Sequence, residues 1–344
     1  MDNTKWYDKP ECDSGEIISS RVRLARNLVK HPFPARLNKA GIVNVMNLIK
    51  NSVSNDRVPE IFNYHDLTDA KGEYLLELLE RHVISGEMTI KSGPRAFMLS
   101  ADESASILLN EEDHVRIQTV NAGDNIDEAY NYADKIDDLI EESVEFAFDE
   151  EFGYLTSCPT NTGTGLRASY MLHIPAIEHT SNLRGIMQAV SKFGIAVRGI
   201  HGEGSEPSGS IYQISNQTTL GKPEKEVITA LKRVTSQIIE QERQIRQTLF
   251  SERHAFALDK IYRAYGALTN SRILTINEAM ALLSDVRLGY ITGNLDKPRP
   301  KKTVYAIMMD VQRGGIMKRA GRIIDDNEMD ILRADYIRGI FTNE

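Results

Sequence analysis

Three consecutive carboxylates in the segment NEEDHVRIQ are followed by a histidine and an arginine: Glu111, Glu112 and Asp113, then His114 and Arg116. In an extended chain, Glu112, His114 and Arg116 share one face, and the other two carboxylates point the opposite way. A guanidinium group pairs with a carboxylate through two hydrogen bonds, and it must lose a proton before it can act as a nucleophile. We therefore hypothesise that Glu112 orients a guanidinium and accepts its proton. A purely structural salt bridge is the alternative.

A set of arginines lies in strand-like or glycine-rich segments, outside the polar stripe of any helix. Its members occur in SSRVRLARN, NEEDHVR, TGTGLR and AVRGI: Arg21, Arg23, Arg26, Arg116, Arg167 and Arg198. Arginine binds phosphate oxygens through paired hydrogen bonds. Several arginines around one cleft would bind a triphosphate and stabilise the charge that develops during phosphoryl transfer. Scattered surface ion pairs are the alternative.

Two glycine-rich segments contain further candidates. CPTNTGTGLRAS combines Cys158 with Gly163 and Gly165, which allow the backbone to approach a ligand closely. It lacks the Gly-Lys-Ser/Thr ending of a Walker loop. GIHGEGSE contains Glu203, a candidate second carboxylate for the guanidinium. Plain turns, and a buried inert thiol for Cys158, are the alternatives.

Five segments occur in the same order as the signatures of guanidino (phosphagen) kinases: SSRVRLARN, NEEDHVR, CPTNTGTGLRAS, RGIHGEGSE and ISNQTTLG. The chain resembles that family over about residues 15–250. The resemblance implies that Glu112 is the base, that Cys158 lies against the guanidinium and that His82 packs near an adenine. It also implies ATP as phosphoryl donor, with its phosphates bound by a set of arginines: Arg21, Arg23, Arg116, Arg167 and Arg198.

We expect Mg²⁺ to accompany the nucleotide, held mainly by phosphate oxygens and water. Glu111 is a candidate contact through that water. The sequence contains no dedicated metal-binding motif, so no residue is assigned as a direct metal ligand.

The chain departs from the family pattern at several points. Its first arginine motif begins at Ser19, so we expect the separate helical domain that shapes the small-substrate pocket in that family to be missing. Met171 stands where the family has a histidine, and Thr219 where an arginine is expected. These departures, with an additional C-terminal region, are similar to the bacterial branch whose acceptor is an arginine side chain of a protein.

That branch binds phosphoarginine through an Arg-Asp-x-x-Arg-Ala element. The nearest match here is MDILRA, which keeps Asp330 and Arg333 as candidates but has Met329 in place of the leading arginine. An amphipathic interface helix is the alternative for this segment.

The same resemblance implies a set of partners and a cellular role. The implied partners are a zinc-binding activator protein, a Clp-type unfoldase that recognises the mark, a heat-shock repressor among the substrates, and a second copy of the chain. Two other functions stay open from the residues: a kinase for free arginine or another small guanidine, and a non-catalytic adaptor that binds phosphoarginine or nucleotide.

The elements that must position these residues can be predicted from periodicity. Helical spacing is clear in KGEYLLELLERHVIS, in residues 125–148 and in residues 222–250, and strand-like segments lie between these helices. Short turns between the strands predict an antiparallel sheet flanked by helices, an α+β catalytic domain at residues 1–251. Three further helical patterns predict a small all-α domain at residues 252–344, with capping residues at Thr275 and at Asp325 or Asp326.

Composition limits the class of protein. The chain has 344 residues, of which 41% are apolar and 26% charged, and its formal net charge is −8. A net negative charge argues against a nucleic-acid-binding protein. The two cysteines, Cys12 and Cys158, are far apart, and neither a signal peptide nor a membrane-spanning segment is visible. We therefore expect a cytoplasmic protein with no membrane association.

Overall fold

The computed structural model describes residues 4–53, 62–180, 183–199 and 207–342, without the side chain of residue 184. The predicted Glu203 lies outside the described residues. The strands are β1 (Ile17–Arg26), β2 (Asn63–Asp66), β3 (Ala96–Leu99), β4 (Ala105–Leu109), β5 (Val115–Ala122), β6 (Phe148–Asp149), β7 (Gly153–Tyr154), β8 (Leu166–His173), β9 (Ile195–Arg198) and β10 (Ile211–Asn216). The helices are α1 (Lys39–Val53), α2 (Glu73–Glu80), α3 (Gly86–Ile90), α4 (Ile126–Glu141), α5 (Pro175–Glu178), α6 (Leu183–Ser191), α7 (Glu224–Glu252), α8 (His254–Asn270), α9 (Ile276–Thr292), α10 (Val304–Asp310), α11 (Arg313–Ala320) and α12 (Asp326–Thr342).

Eight of the strands form one antiparallel sheet in the order β2-β3-β4-β5-β1-β8-β10-β9. Strand β1 is central and pairs with β5 on one side and β8 on the other. Its apolar side chains, such as Val22 and Leu24, alternate with polar ones and join the core that α1, α4 and α7 cover. The predicted α+β fold, an antiparallel sheet flanked by helices with a helical C-terminal region, is confirmed.

The helix predicted over KGEYLLELLERHVIS is shorter than expected. It ends at Glu80 because His82 adopts a left-handed backbone conformation with φ of +60°. The amide of Val83 then donates to the carbonyl of Leu78, which closes the helix end. The apolar spacing of the sequence would allow the helix to continue. The helix ends because tertiary contacts hold His82 in this conformation.

The helices from α8 to α12 form the C-terminal helical region, residues 254–342. The predicted caps are confirmed, since Thr275 accepts a hydrogen bond from the amide of Glu278 and Asp325 from that of Glu328. None of the described helices is both long enough and apolar enough to cross a membrane.

This region packs firmly against the N-terminal segment. Arg287 of α9 is fully buried, pairs with Asp13 at 2.9 Å and donates to the carbonyl oxygen of Gly15 at the same distance. Nearby apolar residues of the N-terminal segment and of the C-terminal helices form one buried cluster, which contains Cys12, Trp6 and Tyr305. Residues from both ends of the chain therefore share one core.

A second contact joins α2 to α11. The buried carboxylate of Glu80 accepts hydrogen bonds from the amides of Gly314 and Gly315 at the first turn of α11. Burial raises the pKa of Glu80 to about 7, although these amides oppose the shift. The folded protein therefore holds a proton that the unfolded chain releases at lower pH.

We predict that Glu80→Gln reduces the pH dependence of stability. Between the ordinary glutamate pKa and pH 7, wild type loses stability as pH rises, because only its folded state retains the proton. From pH 4.5 to pH 7.5 the free energy of unfolding should fall by about 1–3 kcal/mol less in the variant. Urea denaturation of both proteins measures this, with the exposed Glu240→Gln as control. Parallel pH profiles for wild type and Glu80→Gln would contradict the prediction.

Candidate active site

One face of the sheet collects five arginines. Arg23 lies directly opposite Gln118 of β5 and Arg167 of β8, and Ala25 lies opposite Arg116. Because residues paired across antiparallel strands project to the same face, this register gathers side chains that are far apart in sequence. The face contains Arg21, Arg23, Arg116, Arg167 and Arg198, the last of these through its pairing with Gln213.

These side chains form the floor of a cleft of about 290 Å³. The described candidates that line it are Arg21, Arg23, His82, Glu111, Glu112, Arg116, Cys158, Arg167 and Arg198. Arg26, from the first arginine segment, points to the opposite face, where it pairs with Asp137 at 2.7 Å and stacks on Tyr154. Apart from Arg26, the sequence-predicted phosphate-binding and guanidinium-binding residues that the structure describes thus share one cavity.

The cleft floor brings several positive charges close together. Burial, followed by the neighbouring guanidinium groups, lowers the pKa of Arg23 well below its usual value. Burial lowers the pKa of Arg21 to about 10, with Arg116 and Arg167 adding to the shift. Within the described residues the Nε of Arg23 is buried without a hydrogen-bond partner. Such an array favours a polyanion, which would relieve the mutual repulsion and supply the acceptors.

The two neighbouring glutamates have different environments. Glu111 is buried, pairs with Arg116 at 2.6 Å and accepts a hydrogen bond from Ser85. The side chain of Glu112 is 37% exposed and lies 3.5 Å from Arg116. Burial, with help from Glu111 and Asp113, raises the pKa of Glu112 against the opposing effect of Arg116. Glu111 therefore positions the arginine, whereas Glu112 faces the cleft with free acceptor capacity.

The carboxylate segment is not an extended chain, so strand alternation does not place the side chains of residues 111–114. Strand β5 begins at Val115, and the preceding segment is a turn that starts with Asn110 at φ of +57°. The reason is a set of side-chain contacts. Asp113 accepts hydrogen bonds from Asn27 and from the amide of Ser157, each at 2.6 Å. These bonds connect the turn to the segment at residues 157–165, the Cys158 loop.

His114 has a structural role in this turn. Its Nδ1 accepts a hydrogen bond from the amide of Leu28, and its Nε2 donates to the carbonyl of Pro32, both at 3.0 Å. Burial lowers the pKa of His114 to about 4, which keeps the ring neutral. Both ring nitrogens are therefore engaged in holding the loop after β1.

The Cys158 loop is held by close backbone packing. A Cβ added to Gly163 would lie 2.3 Å from the carbonyl oxygen of Thr219, and φ is +115° at this glycine. The Thr219 hydroxyl lies within 2.9 Å of the carbonyl oxygens of Thr160 and Thr162. Thr219, which stands where an arginine was expected, therefore holds the loop that presents the partly exposed Cys158 to the cleft.

His82 and two apolar side chains, Leu79 and Ile84, line another part of the cleft. The Nε2 of His82 lies 3.0 Å from the hydroxyl of Tyr305, in α10. A histidine with aliphatic neighbours suits the flat face and polar edge of a nucleobase. Sequence reasoning identified His82 but missed its contact with Tyr305, because no motif marks a contact between residues so far apart in the chain.

The C-terminal candidates lie elsewhere in the structure. Arg333 is buried, pairs with Asp330 and donates to the carbonyl oxygens of Val311 and Leu274 at 2.9 and 2.8 Å. Met329 is buried as well. The guanidinium of Arg333 already supports the packing of α12. Among the described residues, no group of three or more histidine, cysteine or carboxylate side chains is arranged to hold a metal ion.

We predict opposite effects of Arg23→Gln on stability and on nucleotide affinity. Removing one partly buried charge, which neighbouring guanidinium groups repel, should raise the free energy of unfolding by roughly 1 kcal/mol. The same change should weaken Mg·ATP binding about 10- to 100-fold, since hydrogen bonds to charged groups contribute about 1.5–3 kcal/mol. Urea denaturation and titration calorimetry measure the two effects, with the exposed Arg36→Gln as control. Loss of stability together with unchanged affinity would contradict this account of the cleft floor.

Comparisons with known proteins agree with this geometry. The family described as "ATP:guanido phosphotransferase, C-terminal catalytic domain" matches residues 44–245, and "Protein-arginine kinase McsB C-terminal domain" matches residues 255–344. The protein-arginine kinase of Pelotomaculum thermopropionicum is 40% identical over 344 residues, which cover 99% of this chain and 96% of the relative. The protein-arginine kinase of Clostridium kluyveri is 42% identical over 325 residues, 94% of each chain.

Solved structures show the same fold. The duplicated taurocyamine kinase from Schistosoma mansoni, with bound transition-state analogue components, superposes with a TM-score of 0.60 at 28% identity, over 68% of this chain and 34% of that chain. Lombricine kinase superposes with a TM-score of 0.61 over 71% of this chain and 70% of that chain. At 21% identity, this second likeness concerns the fold alone. With its catalytic and C-terminal parts both matched and its relatives similar along nearly their whole length, the chain belongs to the protein-arginine kinase family of guanidino phosphotransferases.

Proposed function

We propose that this protein transfers the γ-phosphoryl group of ATP to the guanidinium groups of arginine side chains in other proteins. The observation that carries the proposal is the joint presence, in one cleft, of a cationic sheet face and the partly exposed carboxylate of Glu112. The cationic face suits a triphosphate, and the carboxylate suits a guanidinium. Few other pairs of substrates would need both.

The arginines bind the nucleotide in this proposal. Arg23, Arg116 and Arg167 contact the phosphates and stabilise the negative charge that spreads over the transferring group. Arg21 and Arg198, which lie on the same face of the sheet, do the same. The base packs against His82 and its apolar neighbours. Mg²⁺ neutralises the phosphates when bound, and it is held mainly by phosphate oxygens and water. Glu111 is already paired with Arg116, so it reaches the ion at most through water.

Glu112 acts on the acceptor. Its carboxylate orients the guanidinium so that one nitrogen attacks phosphorus in line with the leaving oxygen of ADP. A nitrogen–phosphorus bond forms, the bond from phosphorus to the bridging oxygen breaks, and the nitrogen proton passes to Glu112. The proton then leaves to solvent. Cys158 lies against the guanidinium, and Glu203 provides a second carboxylate for it.

The finer parts of the role rest on the family resemblance. Asp330 and Arg333 are the candidates for a phosphoarginine site, which would require the buried Arg333 guanidinium to exchange its present partners for the phosphate. The C-terminal region mediates formation of a homodimer. A zinc-binding activator and a Clp-type unfoldase act with the enzyme in the cytoplasm, and phosphorylation marks proteins for degradation and relieves a heat-shock repressor. Catalysis belongs to residues 1–251 and docking to residues 252–344.

We predict that Glu112→Gln abolishes transfer while preserving nucleotide binding. General-base catalysis typically contributes 10²–10⁴-fold, so the rate of phosphoarginine formation should fall at least about 100-fold. The affinity for Mg·ATP should change less than about threefold, since the phosphates contact other residues. Phosphoarginine formed on casein is measured by mass spectrometry without acid, because the nitrogen–phosphorus bond is acid-labile.

Glu87→Gln is the matched control, since it removes an exposed carboxylate that lines the same cleft. It should retain activity within about threefold of wild type. Equal loss of activity in the two variants would contradict the assignment of Glu112 as the base.

The nature of the acceptor is tested by offering casein and free arginine separately to wild type. The proposal predicts phosphoarginine on casein and little turnover of free arginine. Turnover of free arginine with unmodified casein would indicate a small-guanidine kinase. Tight Mg·ATP binding without transfer to either, with or without the activator, would indicate an adaptor.

A further inference from the structure

Tyr305 of α10 lies in the interior between the C-terminal helical region and the sheet. Its side chain is 1% exposed, and its ring centroid is 5.9 Å from that of Trp6. Its hydroxyl lies 3.0 Å from Nε2 of His82 and 3.0 Å from Sδ of Met171. A buried phenol at these distances fixes the position of the imidazole, because its single hydroxyl has no solvent alternative.

His82 is held from two directions. Its carbonyl oxygen accepts a hydrogen bond from Nε2 of Gln118, on the sheet, at 2.6 Å. Its backbone has φ of +60°, which is uncommon for a residue other than glycine and persists only where the surroundings impose it. The sheet thus holds the backbone of His82, whereas Tyr305 contacts its ring.

The helix that leads into His82 is attached to the same region. Lys318 of α11 forms an ion pair with Glu77 of α2 at 2.8 Å. The carboxylate of Glu80 accepts hydrogen bonds from backbone amides at the start of α11. The approach is close, since a Cβ on Gly314 would lie 2.6 Å from the backbone nitrogen of Glu77. Two separate elements of the C-terminal helical region, α10 and α11, therefore support this wall of the cleft.

We propose that Tyr305 is a positioning residue of the nucleotide site, which acts by holding the His82 ring against the base of ATP. The C-terminal helical region then completes the nucleotide site in addition to any docking role. This inference rests on the proposed function, because it takes ATP as the ligand of the cleft. It assigns a role to a residue that lies about 220 positions from His82 in sequence.

The proposal has a thermodynamic consequence. If the packing of α10 sets the position of His82, nucleotide affinity depends on that packing, and bound nucleotide stabilises the packing to the same extent. An event that displaces α10 would weaken the binding of the base without removing any phosphate contact.

The test compares Mg·ATP with Mg·tripolyphosphate, which has the phosphates but no base. We expect Tyr305→Phe in the full chain to weaken Mg·ATP binding about three- to tenfold and to leave Mg·tripolyphosphate binding unchanged. Tyr290→Phe is the matched control, since it removes another buried hydroxyl of the same region, bonded to the carbonyl of Pro298 at 2.8 Å. It should affect neither ligand. Thermal unfolding of each variant shows that the fold is retained.

A double-mutant cycle shows whether Tyr305 acts through His82. In a His82→Asn background, where asparagine tolerates the positive φ, Tyr305→Phe should cause no further loss of Mg·ATP affinity. An undiminished loss in that background would overturn the proposal, as would equal weakening of both ligands or no effect on either.

The cycle also separates this inference from the proposed function. Wild type that binds no Mg·ATP would refute the proposed function itself. Wild type that binds Mg·ATP with a Tyr305→Phe variant of equal affinity would refute the positioning role alone. Absence of folded Tyr305→Phe protein would show that the hydroxyl serves stability, and it would likewise overturn the proposal.

Discussion

Five arginine side chains share one face of an antiparallel sheet, and the repulsion among their guanidinium groups must be offset by the rest of the structure. Arg23 and Arg167 lie directly opposite each other on neighbouring strands, an arrangement that sheets normally avoid because like charges there are destabilising. The opposite face compensates, since it buries a continuous apolar core under several helices, among them α1, α4 and α7. One face of the sheet therefore supplies stability. In the proposed function the other face supplies the chemistry, and the phosphates of a bound nucleotide would reduce the repulsion among the arginines.

The three neighbouring carboxylates, Glu111, Glu112 and Asp113, have different contacts. Glu111 neutralises Arg116 and holds it in place, and Asp113 ties the carboxylate turn to the Cys158 loop. Glu112, less enclosed and with its pKa raised, faces the cleft, where the proposed function places the acceptor. Three neighbouring acidic residues thus have three different functions, which their solvent exposure and partners distinguish and their residue types do not.

Sequence alone predicted the fold class, because alternating strands and amphipathic helices have strong periodicities. It also selected the arginines, Glu112 and His82, since these occur in specific motifs. It did not predict the turn at Asn110 or the early end of α2, because both depend on side-chain contacts that cross the fold. Tyr305 was missed for the same reason, as its role exists only through packing against residues distant in sequence.

A crystal structure of the protein with Mg²⁺ and a non-hydrolysable ATP analogue would test the central claim most directly. The account predicts phosphates on Arg23, Arg116 and Arg167, the base against His82, and the terminal phosphate directed towards Glu112. A nucleotide bound away from the cationic face, or one whose terminal phosphate points away from Glu112, would contradict it.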